Sequence, residues 1–355
     1  MIRNASFRNF RGFGRLELSD LRNITIISGK NNSGKSSTLE GIFLALDYRA
    51  PDSFAVLNQI RGISYNMRPE DMWDTLFHNL SLSEDINIRL DFDDRALNIS
   101  YSRDDSFINS VAMSGNNIIL KQFISSSPQS YSLKFSCSYG DSSEGGHFIM
   151  NLQGIQQYSE QGQNLQQLIP MVQYIPSSRV HSNNAVVELF GIVTRRNMKD
   201  KLIHYLQLID PSISDLTTIT SGTQSQLYAN VLGRWLPLRL AGDGFDHLLI
   251  IIASMIAHPD SILLVDEIET GFHYSVYPKL WEAVMFTAKE ERCQVIAATH
   301  SYECLESAAA QADTANLHND FCYFRLGRDN NGEVNAYRFS QEILAHATDN
   351  DLEVR

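Results

Sequence analysis

Two glycines, a lysine and a serine stand at fixed spacing in Gly29-Lys-Asn-Asn-Ser-Gly-Lys35-Ser36, the pattern GxxxxGK[ST]. Small residues there let backbone N–H groups close around a phosphate at a helix N-terminus, where the helix dipole favours an anion. Gly29, Asn31, Asn32, Ser33, Gly34, Lys35, Ser36 and Ser37 are therefore the expected phosphate cradle, with Lys35 neutralising phosphate charge and the Ser36 hydroxyl reaching Mg²⁺. A second group follows the apolar run Ile262-Leu-Leu-Val, which ends in Asp266-Glu267. Asp266 is the expected Mg²⁺ carboxylate and Glu267 the general base or water-positioner. A third is His300, at the end of Val295-Ile-Ala-Ala-Thr, where it could report a γ-phosphate or simply cap the next helix. A fourth is Leu240-Ala-Gly242-Asp243-Gly244-Phe245, a glycine-rich turn opening an apolar helix and so a second phosphate-binding device. One P-loop satisfies one nucleotide, so the second device is either one that serves the nucleotide of another copy or a simple turn before a helix.

The elements that must position these groups are legible as patterns. Ile24, Ile26 and Ile27 form a short buried-strand run before the loop, and Leu39, Ile42, Phe43 and Leu46 form a helix face after it. Residues 261–265 and 294–298 are short, nearly continuous apolar runs, as in strands covered on both faces of a parallel sheet. Between residues 86 and 152 the pattern changes to alternation, through Ile86, Ile88, Leu90 and Phe92, then Tyr131, Leu133, Phe135 and Cys137, then Phe148, Met150 and Leu152. That is period two, hence half-buried antiparallel strands, separated by polar breaks such as 141–146. Residues 153–170, rich in Gln, read as a polar connector with one short helix. Residues 184–209 read as helical, with Leu202, Tyr205, Leu206 and Ile209 on one face and Asp210-Pro211 as the stop. Residues 216–240 read as strands, 321–339 as a hairpin around Asp329–Gly332, and Ser340 as the start of a closing helix.

Composition narrows the function classes. With 43% hydrophobic and 20% charged residues in 355 positions the chain can bury a sizeable core. No apolar run reaches membrane-spanning length and the N-terminus lacks a signal-peptide core, so a cytoplasmic protein without membrane attachment is expected. The four cysteines have neither metal-knuckle nor CxxC spacing. A net charge of −12 argues against strong DNA binding and suits a basic protein partner.

Taken together, the four groups resemble the ABC-type ATPases, and Phe7-Arg-Asn-Phe10-Arg11-Gly12-Phe13 before a GxNxxGKSS loop resembles the RecF, Rad50 and OLD branch. Glu269-Thr-Gly-Phe-His273 is similar to that branch as well. The resemblance implies ATP and Mg²⁺ as ligands, Arg11 near the nucleotide, Gly242–Gly244 acting in trans as a signature motif, and Gln173 as a candidate Mg²⁺ ligand. It implies an α/β ABC-type core from residues 1–50 and 171–355, a helical arm near 184–215, and an inserted antiparallel β lobe from 51–170. The signature serine is replaced, which points to slow hydrolysis. No coiled-coil arm and no Toprim nuclease segment is found, so the expected protein is a stand-alone ATPase subunit, similar to those of two-gene PARIS-type phage defence. That implies a homo-oligomer, at least a dimer, holding a separate nuclease or toxin effector until a phage trigger protein is sensed. A RecF-like repair ATPase that binds DNA is the alternative; a transporter subunit fits the opening segment less well.

Overall fold

A computed structural model describes residues 1–62, 73–113, 118–126, 129–151, 154–159, 164–177, 183–240 and 243–339. In chain order the first elements are β1 (Ile2–Phe10), β2 (Phe13–Ser19), β3 (Ile24–Gly29), α1 (Lys35–Leu46) and α2 (Pro51–Ile60). Next come β4 (Ile86–Phe92), β5 (Ala96–Arg103), α3 (Ser106–Met113), α4 (Ile118–Ser125), β6 (Tyr131–Tyr139), β7 (Ser142–Asn151) and β8 (Gly154–Ser159). Then follow β9 (Val172–Ile175), α5 (Asn183–Arg195), α6 (Lys199–Ile209), β10 (Ile213–Ser221), β11 (Gln224–Val231) and β12 (Arg234–Pro237). The last are α7 (Asp243–Ala257), β13 (Ile262–Val265), α8 (Tyr277–Glu290), β14 (Gln294–Ala298), α9 (Tyr302–Thr314), β15 (Phe321–Arg328) and β16 (Val334–Phe339). The helix expected from Ser340 lies outside the described residues.

The chain divides into two compact units, one from residues 1–21, 31–170 and 326–337, the other from the described residues of 22–30, 171–325 and 338–355. The first unit is built on a seven-stranded sheet, β2-β1-β4-β5-β6-β7-β8. Its strands alternate as expected: Ile86, Ile88, Leu90 and Phe92 are buried while Asn87 and Arg89 are exposed. Two departures come from tertiary cover. His147, Ile149 and Asn151 of β7 are buried beside Phe148 and Met150, so both faces of this half-strand are covered. The cover comes from α3 and α4, which the alternation reading passed over; Val111 and Leu120 pack on Ile149. The polar break expected at 141–146 is a turn at Gly140–Asp141 only, and Ser142–Gly146 pair with β6. The amide-rich connector contains a strand, β8, paired along β7, before a short 3₁₀ turn at Leu165–Leu168.

Strands β1 and β2 are hydrogen-bonded into the same sheet as the strands that follow residue 50: Phe7 faces Ile88 on one side and Leu16 on the other. Helix α1 lies on this sheet and is buried almost all round, Gly41, Leu44 and Ala45 included, rather than by one face.

In the sheet β16-β15-β3-β14-β13-β9 the strands β3, β14, β13 and β9 are mutually parallel, and β14, β13, β9 and β3 belong to the second unit. Every residue of β13 and β14 is buried, the expected signature of strands covered on both faces. Helices α5 and α6 are separate, with Asn197 in the left-handed region (φ 57°) at the break, and Leu202, Tyr205 and Leu206 are buried in the core with α7 and α8. A small antiparallel sheet, β10-β11-β12, completes the unit. No described helix is long and apolar enough to cross a membrane.

Candidate active site

The GxxxxGK[ST] loop crosses the division of the chain: Gly29, which ends β3, and Lys30 belong to the second unit, and Asn31 to Ser37 belong to the first. Within the first unit the loop has the features of an anion cradle. Asn32 and Gly34 both have positive φ, 62° and 100°. Helix α1 starts at Lys35 with no side chain capping its first N–H groups and no acidic residue in its first turn. N–H groups at such an uncapped helix start are ones that an anion can satisfy. The Ser33 hydroxyl is buried without a hydrogen-bond partner among the described residues, a second donor that a ligand oxygen would satisfy. Lys35 is 4% exposed.

The opening Phe-Arg-Asn-Phe-Arg-Gly-Phe segment explains itself as a brace for this loop. Phe10 pairs with Phe13 across a hairpin turn in which Arg11 is left-handed, φ 51°. The Phe13 ring sits where a Cβ on Gly34 would fall, 2.3 Å away, and Phe7 sits 2.6 Å from a Cβ on Gly41. Any larger residue at Gly34 meets both an aromatic ring and an unfavourable φ. Arg11 is expected near the nucleotide, but the structure places its guanidinium on α1: Nε is 3.2 Å from Glu40 Oε2, with further bonds to the Thr75 carbonyl and Asn58. Glu40 is 1% exposed and is also paired with Arg61, which donates to the Ser37 hydroxyl. Arg11 and Arg61 thus neutralise a buried carboxylate carried by the loop's own helix, α1.

In the second unit the ends of β3, β13 and β14 open on one edge of the sheet, because the strands are parallel and in register: Ile27 opposes Ala298, and Ala297 opposes Val265. This brings Gly29, Asp266, Glu267 and His300 to the same edge. Asp266 is 3% exposed and its N–H donates to the Ile175 carbonyl. Glu267 turns the chain with φ 50°, so its carboxylate leaves the strand alternation that would separate it from Asp266. Glu267 Oε1 is 3.8 Å from His300 Nε2, and Thr270 Oγ1 donates to Glu267 Oε2 at 3.3 Å. The turn is locked to β14 by the His300 N–H, which donates to Glu269 Oε1 at 2.7 Å, and by the Ile268 N–H, which donates to the Ala298 carbonyl. Glu269 therefore has a positioning role that its sequence context did not reveal.

Two sequence assignments are not gathered here. Gln173 lies within β9 opposite Leu263, three residues before Asp266 in register, roughly 10 Å back from the sheet edge at about 3.3 Å per residue. Of the glycine-rich turn, Gly242 and the Asp243 side chain lie outside the described residues. Gly244 is packed within its own chain: a Cβ there would stand 2.5 Å from the Gly271 carbonyl and 2.8 Å from the Phe272 ring. All four cysteines are buried and none forms a disulfide, and burial pushes the Cys304 and Cys137 thiols up to about 12.

The donors suit a hard divalent cation held with phosphate. Ser36 in the first unit and Asp266 in the second each carry an oxygen of the kind such an ion takes, and no cluster of three or more His, Cys, Asp or Glu that could hold an ion by itself occurs among the described residues. Mg²⁺ commonly binds through one or two such ligands plus phosphate and water.

Fold and loop together define a P-loop ATPase. The chain belongs to the AAA ATPase domain family, whose model matches residues 1–232. Residues 161–306 match the AAA domain family whose description names an AbiEii toxin and a type IV toxin–antitoxin system. An ATP/GTP phosphatase of Helicobacter pylori is 25% identical over 380 aligned residues, spanning 96% of this chain and 99% of that protein. Among solved structures, the SMC head bound to the C-terminal winged-helix domain of ScpA superposes with a TM-score of 0.54 at 12% identity, over 97% of this chain and 99% of that one. The SMC head with an extended coiled coil, bound to a ScpA domain from Pyrococcus furiosus, has a TM-score of 0.50 at 10% identity, over 99% of each chain. At such identity the likeness is one of fold.

Proposed function

We propose that this ATPase is the nucleotide-dependent regulatory subunit of an anti-phage defence complex. It assembles as a homo-oligomer in the cytoplasm, shares ATP between protomers through the Gly242–Gly244 segment, and restrains a separate nuclease or toxin effector until a phage protein is sensed. The match of residues 161–306 to the toxin–antitoxin AAA family carries this reading, since that stretch holds the acidic turn and the glycine-rich segment.

The chemistry assigned to the chain follows from its side chains. Backbone N–H groups of the Asn31–Lys35 segment bind the phosphates, and Lys35 neutralises their charge. Ser36 and Asp266 would hold Mg²⁺, which when bound would offset charge on the phosphates. Glu267 takes the proton of the attacking water, and His300, 3.8 Å away, orients that carboxylate.

A DNA-binding role has weaker support. The open cleft of about 1190 Å³ on the first unit's sheet is lined by Arg8, Arg15, Arg89 and Lys134. Three of these are paired with acids: Arg8 with Glu84, Arg15 with Glu17, Arg89 with Asp91. Phosphate contacts need clustered cationic charge that is not already neutralised. The test is affinity purification of the tagged chain from its native cells, with mass spectrometry and absorbance at 260 nm. A stoichiometric nuclease-like or toxin-like protein supports the proposal. Co-eluting DNA without such a protein overturns it in favour of a repair ATPase.

A further inference from the structure

The β15–β16 hairpin lies far from the P-loop in sequence, yet Arg328, the last residue of β15, grips the loop. Arg328 Nε donates to the Asn32 carbonyl at 3.1 Å, and its Nη1 donates to the Gly332 carbonyl at 2.6 Å. Both partners, like Arg328, belong to the first unit. Arg328 is exposed and makes no ion pair among the described residues, so its charge is not neutralised by a neighbouring carboxylate. Its carrier is rigid. The Asp329 carboxylate accepts from the N–H groups of Asn331 and Glu333, both at 2.9 Å, and the Asp329 carbonyl accepts from Gly332 N–H at 3.0 Å. The approach of the hairpin is permitted by two glycines in the N-terminal turn. A Cβ on Gly12 would stand 3.3 Å from Arg328 Nη2, and one on Gly14 would stand 3.0 Å from the Glu333 carboxylate.

We propose that Arg328 is a positioning residue for nucleotide binding, holding the Asn32 peptide so that the loop's N–H groups face the phosphates. The inference rests on the ATPase reading of the P-loop. Asn32 is left-handed at φ 62°, a conformation that costs a non-glycine residue free energy and needs support from its surroundings. A peptide whose carbonyl is fixed by a cation on one side presents its N–H dipole to the other. The guanidinium fork is suited to this because two of its nitrogens act at once, one on the loop and one on the hairpin, whereas an ammonium is a single point of charge. The bond also makes nucleotide affinity depend on the β15–β16 hairpin, which leads directly into the C-terminal residues.

The experiment compares wild type, Arg328→Ala and Arg328→Lys by calorimetric titration with ADP and ATP, steady-state hydrolysis and thermal melting. Arg328→Ala should raise Kd for ADP and ATP alike by about tenfold, with kcat at saturating ATP within about twofold and Tm unchanged. Arg328→Lys should recover only part of the affinity. An unchanged Kd in Arg328→Ala overturns the proposal, as does a Lys variant equal to wild type, which would make point charge sufficient. A fall in kcat and Tm together with affinity overturns it too, because the role would then be general stability. A wild-type chain that bound neither nucleotide would remove the ATPase reading and this inference with it, whereas wild-type binding beside an unchanged Arg328→Ala removes this inference alone.

Discussion

The phosphate loop and the acidic turn reach their shapes by different routes. The Asn31–Ser37 segment is held from outside: by the Phe13 ring at Gly34, by Arg61 on the Ser37 hydroxyl, 24 positions away, and by Arg328 on the Asn32 carbonyl, 296 positions away. The turn after β13 is held largely by itself and by the neighbouring strand: Thr270 lies 3 positions from Glu267, and Glu269 reaches the His300 backbone across 31. A loop that must wrap an anion has no side chains of its own to spare for support, since its residues are small or face the ligand. A turn that must aim a carboxylate can use its neighbours. Substitutions in the two regions should therefore fail differently, affinity in the first and turnover in the second.

The largest effect is expected at Lys35. Lys35→Ala should reduce kcat/KM for ATP by at least about a thousandfold, since a buried cation aimed at phosphate charge is lost. Titration with ATP should show the loss in binding itself. Next is Glu267→Gln, which keeps shape and hydrogen bonding to Thr270 but cannot accept a proton. It should lower kcat by about 10² to 10³ while Kd for ATP stays within about threefold. If Glu267→Gln turned over at the wild-type rate, the base would have to be sought elsewhere on the sheet edge.

The comparison also shows what could be read from sequence. The GxxxxGK[ST] loop, Asp266-Glu267 and His300 were legible because each is a short local pattern after an apolar strand. The strands from 86 to 151 were legible wherever one face stayed open to solvent. They became ambiguous at β7, where α3 and α4 cover the second face and bury His147 and Ile149. Strand β8 was missed because Gly154-Ile-Gln-Gln-Tyr-Ser159 is an edge strand whose half-exposed, amide-rich residues carry no alternation. The Arg11–Glu40 pair was not legible because Glu40 sits on a helix that is buried almost all round, a circumstance that appears only in the tertiary fold. Arg328 carries no motif at all: its meaning is a bond to a backbone carbonyl.

A third test separates support from chemistry in the first unit. The Arg11–Glu40 pair is buried, with side chains 6% and 1% exposed. Removing one partner of such a pair leaves a charge without full compensation. Arg61 remains on Glu40, which softens the loss, so Arg11→Ala should cost about 2 kcal/mol of unfolding free energy, below the usual range for a broken buried pair. Denaturant melts of Arg11→Ala and Arg11→Ala/Glu40→Gln should show part of that stability returning in the double variant. If Arg11→Ala instead left stability untouched and weakened ATP binding, Arg11 would be the nucleotide contact implied by the family resemblance.

The smallest effect sharpens the account of the acidic turn. Thr270 Oγ1 donates to Glu267 Oε2 at 3.3 Å, a long bond to a carboxylate that is 41% exposed, so solvent competes for the same oxygen. Thr270→Ser keeps the donor and Thr270→Val removes it at nearly constant volume. Thr270→Val should lower kcat by about threefold, the weak end of what a hydrogen bond contributes, with Kd for ATP unchanged. Thr270→Ser should stay near wild type. Equal kcat in all three proteins would mean that His300 alone sets the direction of the Glu267 carboxylate. The next comparison would then be His300→Asn and His300→Ala, in which only the first retains a polar group at the end of β14.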